Sequence, residues 1–486
     1  MNNDCVLIGE IAREKLLEGV NLITDAIQCT YGPNAATVAI KNPAGIKITK
    51  DGKTVSEAVR VLDPYIQAGV DLIKEVSVKT AKEVGDGSST VAILTRAIVN
   101  DYINFGNPIE ISRKLFKERD LVLEDLKSHT KQISNKEDIK KVATLSANGD
   151  ELIGETIAEA YDKVGKDGLV LYEKGESVTD RIEYSRGFRI NSGFFSPYLI
   201  NTSEGNIELN NVQVYISQTK MEETRKVKEI WQKAIDQGKS LLLIAPDFDS
   251  SITMLIYHNM FDPNKGGRMQ AGLIQSPEFG VMRETILEDI KAVLGDSMCC
   301  DKVIITKDDT TFIGYNSNTE AVEERKYMVK QILENPLPEI EYEFHRRRLA
   351  MFSGGLAKIF VGGYSETEAK TRCDLYEDAI SATACALKGG VLPGCGKALR
   401  EAAKNLNVPL LKKALYAPTQ ILLDQATSSS GSVEDYWDVL NIRTGVSGDA
   451  FENGIIEPYL VVKETLENAV SAATNIISAN CLIVNE

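Results

Sequence analysis

The chain has 486 residues, 43% of them apolar and 26% charged, which at ~150 residues per domain suggests about three globular domains. Its 55 basic and 70 acidic side chains leave a net charge of −15, which argues against nucleic-acid wrapping or an anionic membrane surface, since both need basic patches. No stretch approaches the ~20 apolar residues of a membrane span, and the opening MNNDCVLIGEIAREK carries acids early and lacks the apolar run of a secretory signal.

In chain order, Ile11, Leu16, Val20, Ile23 and Ile27 mark a helix over 10–31 that stops at Gly32-Pro33. Residues 36–49 alternate as a hairpin, turning at Asn42-Pro43-Ala44-Gly45. Residues 54–83 and 88–103 read as helices separated by Gly85-Asp86-Gly87, with more helix to about 128 and again over 150–164. From 168 to 220 the pattern is that of strands, and Leu241–Ala245 and Val303–Ile305 are continuous apolar runs like buried strands. The chain turns helical and charged beyond 320, and is mostly helix from 365 to about 426 with breaks at Gly389-Gly390 and Gly394. Helical ends therefore flank an α/β middle, with no repeat at a fixed period. The eight cysteines are scattered without a C-x-x-C, as expected of buried thiols in a reducing cytoplasm. His129, His258 and His345 form no metal motif.

Five segments carry chemistry. Gly85-Asp86-Gly87-Ser88-Ser89-Thr90 opens a helix; free N–H groups and hydroxyls there make an anion cradle, and the adjoining Asp86 calls for a bridging Mg²⁺. Read alone it is equally a capped helix start. Thr30-Tyr31-Gly32-Pro33 and Thr49-Lys50-Asp51-Gly52 are singly just turns, and Glu377-Asp378 singly a solvated helix face. Gly389–Gly396 imitates a P-loop but lacks a glycine five residues before Gly396, and Ala398 follows Lys397 where Ser or Thr is needed.

Taken together and in this order, these words resemble the nucleotide site of the chaperonins. The resemblance continues through Leu145-Ser146-Ala147-Asn148, Gly165-Lys166-Asp167-Gly168, Ser196-Pro197-Tyr198, Ser353-Gly354-Gly355 and Gly454-Ile455-Ile456-Glu457-Pro458, essentially the whole chain. Ser-Pro-Tyr and the lack of room for a long apical protrusion point to group I, the GroEL type. The resemblance implies a multidomain α and α/β fold: a helical equatorial domain from 1–128 and 389–486, a small intermediate domain from 129–185 and 357–388, and an α/β apical domain over 186–356. It implies an ATPase coupled to protein folding in a cytoplasmic homo-oligomeric ring of seven subunits, with ATP, Mg²⁺ and K⁺ as cofactors and unfolded proteins as clients.

Carried over residue by residue, Asp86 is the Mg²⁺ ligand and Gly87, Ser88, Ser89 and Thr90 hold the phosphates. Thr30, Tyr31, Gly32 and Pro33 form the neighbouring turn, with Lys50 and Asp51 as the next contact. Gly394, Gly396, Asn441, Ile442, Ile455 and Glu457 form the base and ribose pocket. Asp378, brought in by the intermediate domain and assisted by Asp51, orients the attacking water. Clients are expected on Phe194, Tyr198, Leu199, Val227, Ile230, Trp231 and Tyr257, with an exposed Trp231 as anchor. The same spacing also fits stripes facing the apical core, Ile252 and Ile256 among them.

Several positions depart from the family. Lys228, Thr253 and His258 replace apolar groove residues, which leaves a lid co-chaperonin open. Ser192 replaces an arginine expected to pair with Glu366, and Thr419 and Ser428 stand near positions where charges meet across two rings, so a single ring is a hypothesis. The loop before Lys302 is about 20 residues short by family comparison, the Gly-Met-rich tail is missing after Glu486, and Cys395 replaces a glycine. So divergent a member fits a cellular or a virus-encoded gene. The alternative function is a ring-forming scaffold with residual ATPase; intact Asp51, Asp86 and Asp378 argue against it.

Overall fold

α1 (Glu10–Gln28) buries Leu16, Val20, Ile23 and Ile27 of the stripe its apolar spacing predicts, while Ile11 is exposed. The structure, a computed structural model, describes residues 6–484 except 43–44, 104, 134, 167, 176, 262–269, 318, 334, 336–337, 426–438 and 442–445. Before α1 lies β1 (Val6–Ile8); after it, β2 (Val38–Asn42) and β3 (Gly45–Thr49) pair antiparallel as the expected hairpin, Ile40 opposite Lys47. The single helix expected over 54–83 is two: α2 (Gly52–Ala58) and α3 (Pro64–Val84). Pro64 bars helical backbone at the residue before it and fits a first helical position. Asp63 caps the new start by accepting from Tyr65 N–H at 2.9 Å. A Cβ on Gly19 would lie 2.1 Å from Ile66 O, and one on Gly69 2.2 Å from Leu16 O; two glycines thus let α1 and α3 touch backbone to backbone. α4 (Ser88–Tyr102), α5 (Pro108–Ser128), α6 (Lys136–Ser146) and α7 (Glu151–Val164) follow.

The middle of the chain holds β4 (Leu169–Lys174), β5 (Arg181–Ile190), β6 (Ile207–Ile216), α8 (Thr224–Asp236), β7 (Ser240–Ala245), α9 (Ser250–Met260), β8 (Ala271–Gln275), α10 (Gly280–Leu294), β9 (Cys299–Ile305), β10 (Thr310–Tyr315), α11 (Thr319–Leu333), α12 (Glu339–Ser353) and β11 (Gly355–Val361). The sheet order is β4-β11-β5-β10-β9-β6-β7-β8. β6, β7 and β8 run parallel, and β9 pairs antiparallel with β6 and β10. Leu241 to Ala245 are fully buried, which explains an uninterrupted apolar run rather than an alternating one.

The C-terminal third adds α13 (Glu366–Gly389), β12 (Val391–Pro393), α14 (Lys397–Asn405), α15 (Lys412–Gln425), β13 (Val439–Asn441), β14 (Val446–Gly448), β15 (Ile456–Pro458), α16 (Tyr459–Ser478) and β16 (Cys481–Ile483). α16 is buried on most sides and joins Leu466, Ala469, Val470, Ala473 and Ile476 to the core of α1, α3, α4 and α5. Two units result: Met1–Glu159 with Tyr172–Asp180 and Val361–Glu486, and Ala160–Leu171 with Arg181–Phe360. The first is helical and built from both ends of the chain; the second is α/β. The seven described cysteines are free thiols, and no described helix is long and apolar enough to cross a membrane.

Candidate functional site

Three chain reversals in the first unit meet at one cavity of about 740 Å³. The end of α1 contributes Thr30, Tyr31, Gly32 and Pro33; the β3–α2 turn contributes Thr49, Lys50, Asp51 and Gly52; the α3–α4 turn contributes Asp86, Gly87, Ser88, Ser89 and Thr90. α3 ends on left-handed Gly85 and α4 starts after left-handed Gly87, with no side chain capping its first N–H groups. A Cβ on Gly52 would lie 2.3 Å from Ser89 Oγ and 3.3 Å from Thr30 Oγ1. An open helix start, converging hydroxyls and backbone free to approach closely are what an anionic group requires.

Acids crowd the same cavity. Asp51 caps α2, its carboxylate accepting from Lys53 N–H at 3.1 Å and Thr54 N–H at 2.7 Å. Asp86 accepts from Gly87 N–H at 2.5 Å and from Ser146 Oγ at 3.4 Å. Burial holds Asp86 above the usual carboxylate range against these two donors, and the Asp51 charge adds to the shift. Asp378 lies well above that range, through burial first and then the charges of Asp86 and Asp51. Asp374, one turn earlier on α13, also lines the cavity and is raised mainly by burial. Among the described residues no three side chains form a metal cage. The donor set instead fits a divalent cation held by one or two carboxylates together with the oxygens of a bound polyphosphate.

At the other end, β12 and β15 pair with Leu392 opposite Glu457. Glu457 accepts from Cys395 N–H at 2.8 Å, and burial pushes its carboxyl up to about 7. Ile455, Glu457 and Cys395 line the cavity; Gly394 flanks it through its N–H bond to Ile455 O at 2.8 Å, and Gly396 is the residue just before α14. Burial and Glu457 raise the Tyr31 phenol. The Asn441 side chain, Ile442 and Ser428 lie outside what the structure describes. Sequence reasoning missed Asp374, Ser146, Lys140, Lys141 and Asn453, which also line the cavity. The available signal was the i, i+4 spacing of Asp374 and Asp378, which puts both on one helix face.

The expected client surface of the second unit needs correction. Leu199 and Val227 are fully buried and Trp231 is 4% exposed, all in that unit's core. Val227, Trp231 and Ala234 form the stripe by which α8 packs, so Trp231 is not an exposed anchor. Phe194 and Ile230 pack against the same core, and Ile252 and Ile256 of α9 are fully buried in it. Tyr198, at 72% exposed, and Tyr257, at 37%, do reach solvent. Their rings stand 6.3 Å apart, with Phe261 5.2 Å from Tyr257.

Two departures also look different. Thr419 is buried and donates to Cys395 O at 3.0 Å, so it braces the cavity turn. Glu366 is paired with Lys174 at 2.7 Å, and the Ser192 hydroxyl is bonded to Gln275 O.

The TCP-1/cpn60 chaperonin family matches residues 23–414. In structure the chain is similar to the chaperonin gp146 of the Pseudomonas aeruginosa bacteriophage EL 2. Two crystal forms of that protein, both in the presence of ATP-BeFx, match at 22% identity over 99% of each chain, with TM-scores of 0.79 and 0.74. With the fold extending over the full length and the family profile covering most of it, the chain belongs to the TCP-1/cpn60 chaperonin family.

Proposed function

We propose that this protein is an ATP-driven protein-folding chaperonin of the group I type: a homo-oligomeric ring that captures non-native polypeptides on its second unit and releases or encloses them as ATP is bound and hydrolysed. The observation that carries the reading is the convergence of the Thr30, Asp51, Asp86–Thr90 and Asp378 segments on one cavity. In this reading the first unit holds the equatorial domain and most of the intermediate domain (129–185 and 357–388), and the second holds the apical domain (186–356) with the remainder of the intermediate one. The likeness to a phage chaperonin supports a virus-encoded origin.

Gly87 to Thr90, with Thr30, bind the phosphates through N–H and hydroxyl donors. Asp86 holds Mg²⁺, which supplies charge neutralisation to the γ-phosphoryl group when bound; K⁺ is the second cation of this reading. Thr30 to Pro33, Lys50, Gly394, Gly396, Ile455 and Glu457 surround the remainder of the nucleotide. Asp378, assisted by Asp51, orients a water, and Asp51 also caps the Gly52 turn. Raised carboxyls at Asp86 and Asp378 fit this reading, because acids that repel one another when alone are stabilised together once a cation lies among them. Clients meet Tyr198 and Tyr257, aromatic and exposed.

The test is native mass with and without Mg-ATP, alongside refolding of a denatured client. Seven copies of the 53.4 kDa chain weigh roughly 370 kDa and fourteen roughly 750 kDa. Either mass with ATP-dependent refolding supports the proposal, the smaller favouring a single ring. ATP turnover with no refolding of any client favours a scaffold, and a monomer with or without nucleotide overturns the ring.

A further inference from the structure

Asp180 is the last residue of the first unit before the chain enters β5, and the chain returns to that unit at Val361. Its carboxylate accepts from four donors on the returning segment. Oδ1 takes Gly362 N–H at 2.8 Å and Arg372 Nη1 at 2.9 Å; Oδ2 takes Arg372 Nη2 at 2.6 Å and the Tyr376 hydroxyl at 2.7 Å. Arg372 Nη1 also donates to Gly362 O at 2.7 Å. Arg372 is mostly enclosed, and Tyr376 is fully buried.

Arg372 and Tyr376 are i and i+4, one face of α13. Thr371, Asp374, Leu375 and Asp378 are i, i+3, i+4 and i+7, and they line the cavity from another face. Two side chains a turn apart, both tied to one carboxylate, fix the rotation of the helix and its position along its axis. A slip of one residue would move α13 by about 1.5 Å and turn it by about 100°, carrying Asp378 off the cavity. Bidentate Arg–carboxylate geometry resists such a slip in a way a single ammonium contact does not. We infer that Asp180 is a positioning residue for Asp378: through Arg372 and Tyr376 it sets the register of α13 and so aims the carboxylate that orients water. The inference rests on the ATPase reading above.

Asp180→Asn keeps the side-chain volume and removes the charge that Arg372 needs. In the full chain, ATP turnover is expected to fall on the order of 10- to 100-fold, the sensitivity of a reacting geometry to displacements of about 1 Å. The nucleotide dissociation constant is expected to stay within about two-fold, which a general loss of structure would not permit. Asp180→Asn is expected to slow Asp378→Asn no further, since the two act as one unit. Wild-type turnover in Asp180→Asn, or an equal slowing of both backgrounds, overturns the inference. Should Asp180→Asn not fold, Tyr376→Phe, which deletes only the hydroxyl, decides it: the same split at smaller size supports the inference, and unchanged turnover overturns it. Should the wild-type protein hydrolyse no ATP, the ATPase reading fails by itself. Amide exchange over 371–378 then decides whether Asp180 holds the helix: faster exchange in Asp180→Asn supports that, and unchanged exchange overturns it.

Discussion

The carboxylate of Glu457 holds the backbone of Cys395: it accepts the Cys395 N–H at 2.8 Å, and Cys395 stands at φ +55°. A side chain in left-handed backbone is strained by about 1–2 kcal/mol and persists only where the surroundings enforce it. Thr419 Oγ1 enforces it from the other side through the Cys395 carbonyl, and the thiol packs beside Val439, Ala450 and Ile455. Glu457→Ala is therefore expected to cost about 1–3 kcal/mol, the penalty of an unsatisfied buried N–H, measured by denaturant unfolding. Adding Cys395→Gly should recover part of that loss, because glycine adopts this backbone without enforcement. No recovery would show that Glu457 does something other than restrain Cys395.

Asp378 and Asp86 should separate hydrolysis from binding. Asp378→Ala is expected to slow ATP turnover by about 10²-fold or more while leaving nucleotide affinity near that of the wild type. Asp86→Ala is expected to abolish the Mg²⁺ dependence of nucleotide binding. Single-turnover hydrolysis and titration with and without Mg²⁺ measure both; unchanged Mg²⁺ dependence in Asp86→Ala would contradict its role as cation ligand.

Stability should fall as pH rises from the ordinary glutamate value toward neutrality. Glu457 is raised to about 7 by burial, so between about 4.5 and 7 the folded state keeps a proton that the unfolded state has lost. Its stabilising contribution is complete below the unfolded value and is lost as pH passes the folded one. Asp86, Asp374 and Asp378, also raised, add slopes of the same sign. Unfolding of nucleotide-free protein from pH 5 to 8 should show this decline, and Glu457→Gln should flatten its upper part. A Glu457→Gln profile superimposable on the wild type would remove Glu457 as a source of the slope.

The second unit offers a contrast between neighbouring aromatics. Trp231 is almost wholly enclosed, so Trp231→Ala should cost about 3–5 kcal/mol. Tyr198→Ser and Tyr257→Ser alter exposed rings and should change stability by about 0.5 kcal/mol or less, yet weaken capture of a denatured client. Thermal unfolding and light scattering of an aggregating client distinguish the two classes. A Trp231→Ala protein as stable as the wild type would contradict its place in the core.

Periodicity and turn chemistry determined the helical ends, the hairpin at 36–49 and the buried strand at 241–245, because each follows from contacts close along the chain. The words that line the cavity were legible for the same reason: glycines, hydroxyls and aspartates at short spacing build the turns they occupy. The break at Pro64 was also local, yet it was missed because apolar spacing runs on either side of it. Which face of an amphipathic helix turns inward was decided only by tertiary structure. Val227 and Trp231 have the same spacing whether they meet a core or a client, and the sheet beneath α8 settles the matter. The union of Asp86, Asp378 and Glu457 around one cavity, and the hold of Asp180 on α13, join residues far apart in sequence. Their charges and hydrogen bonds act across space, and no spacing along the chain encodes that distance.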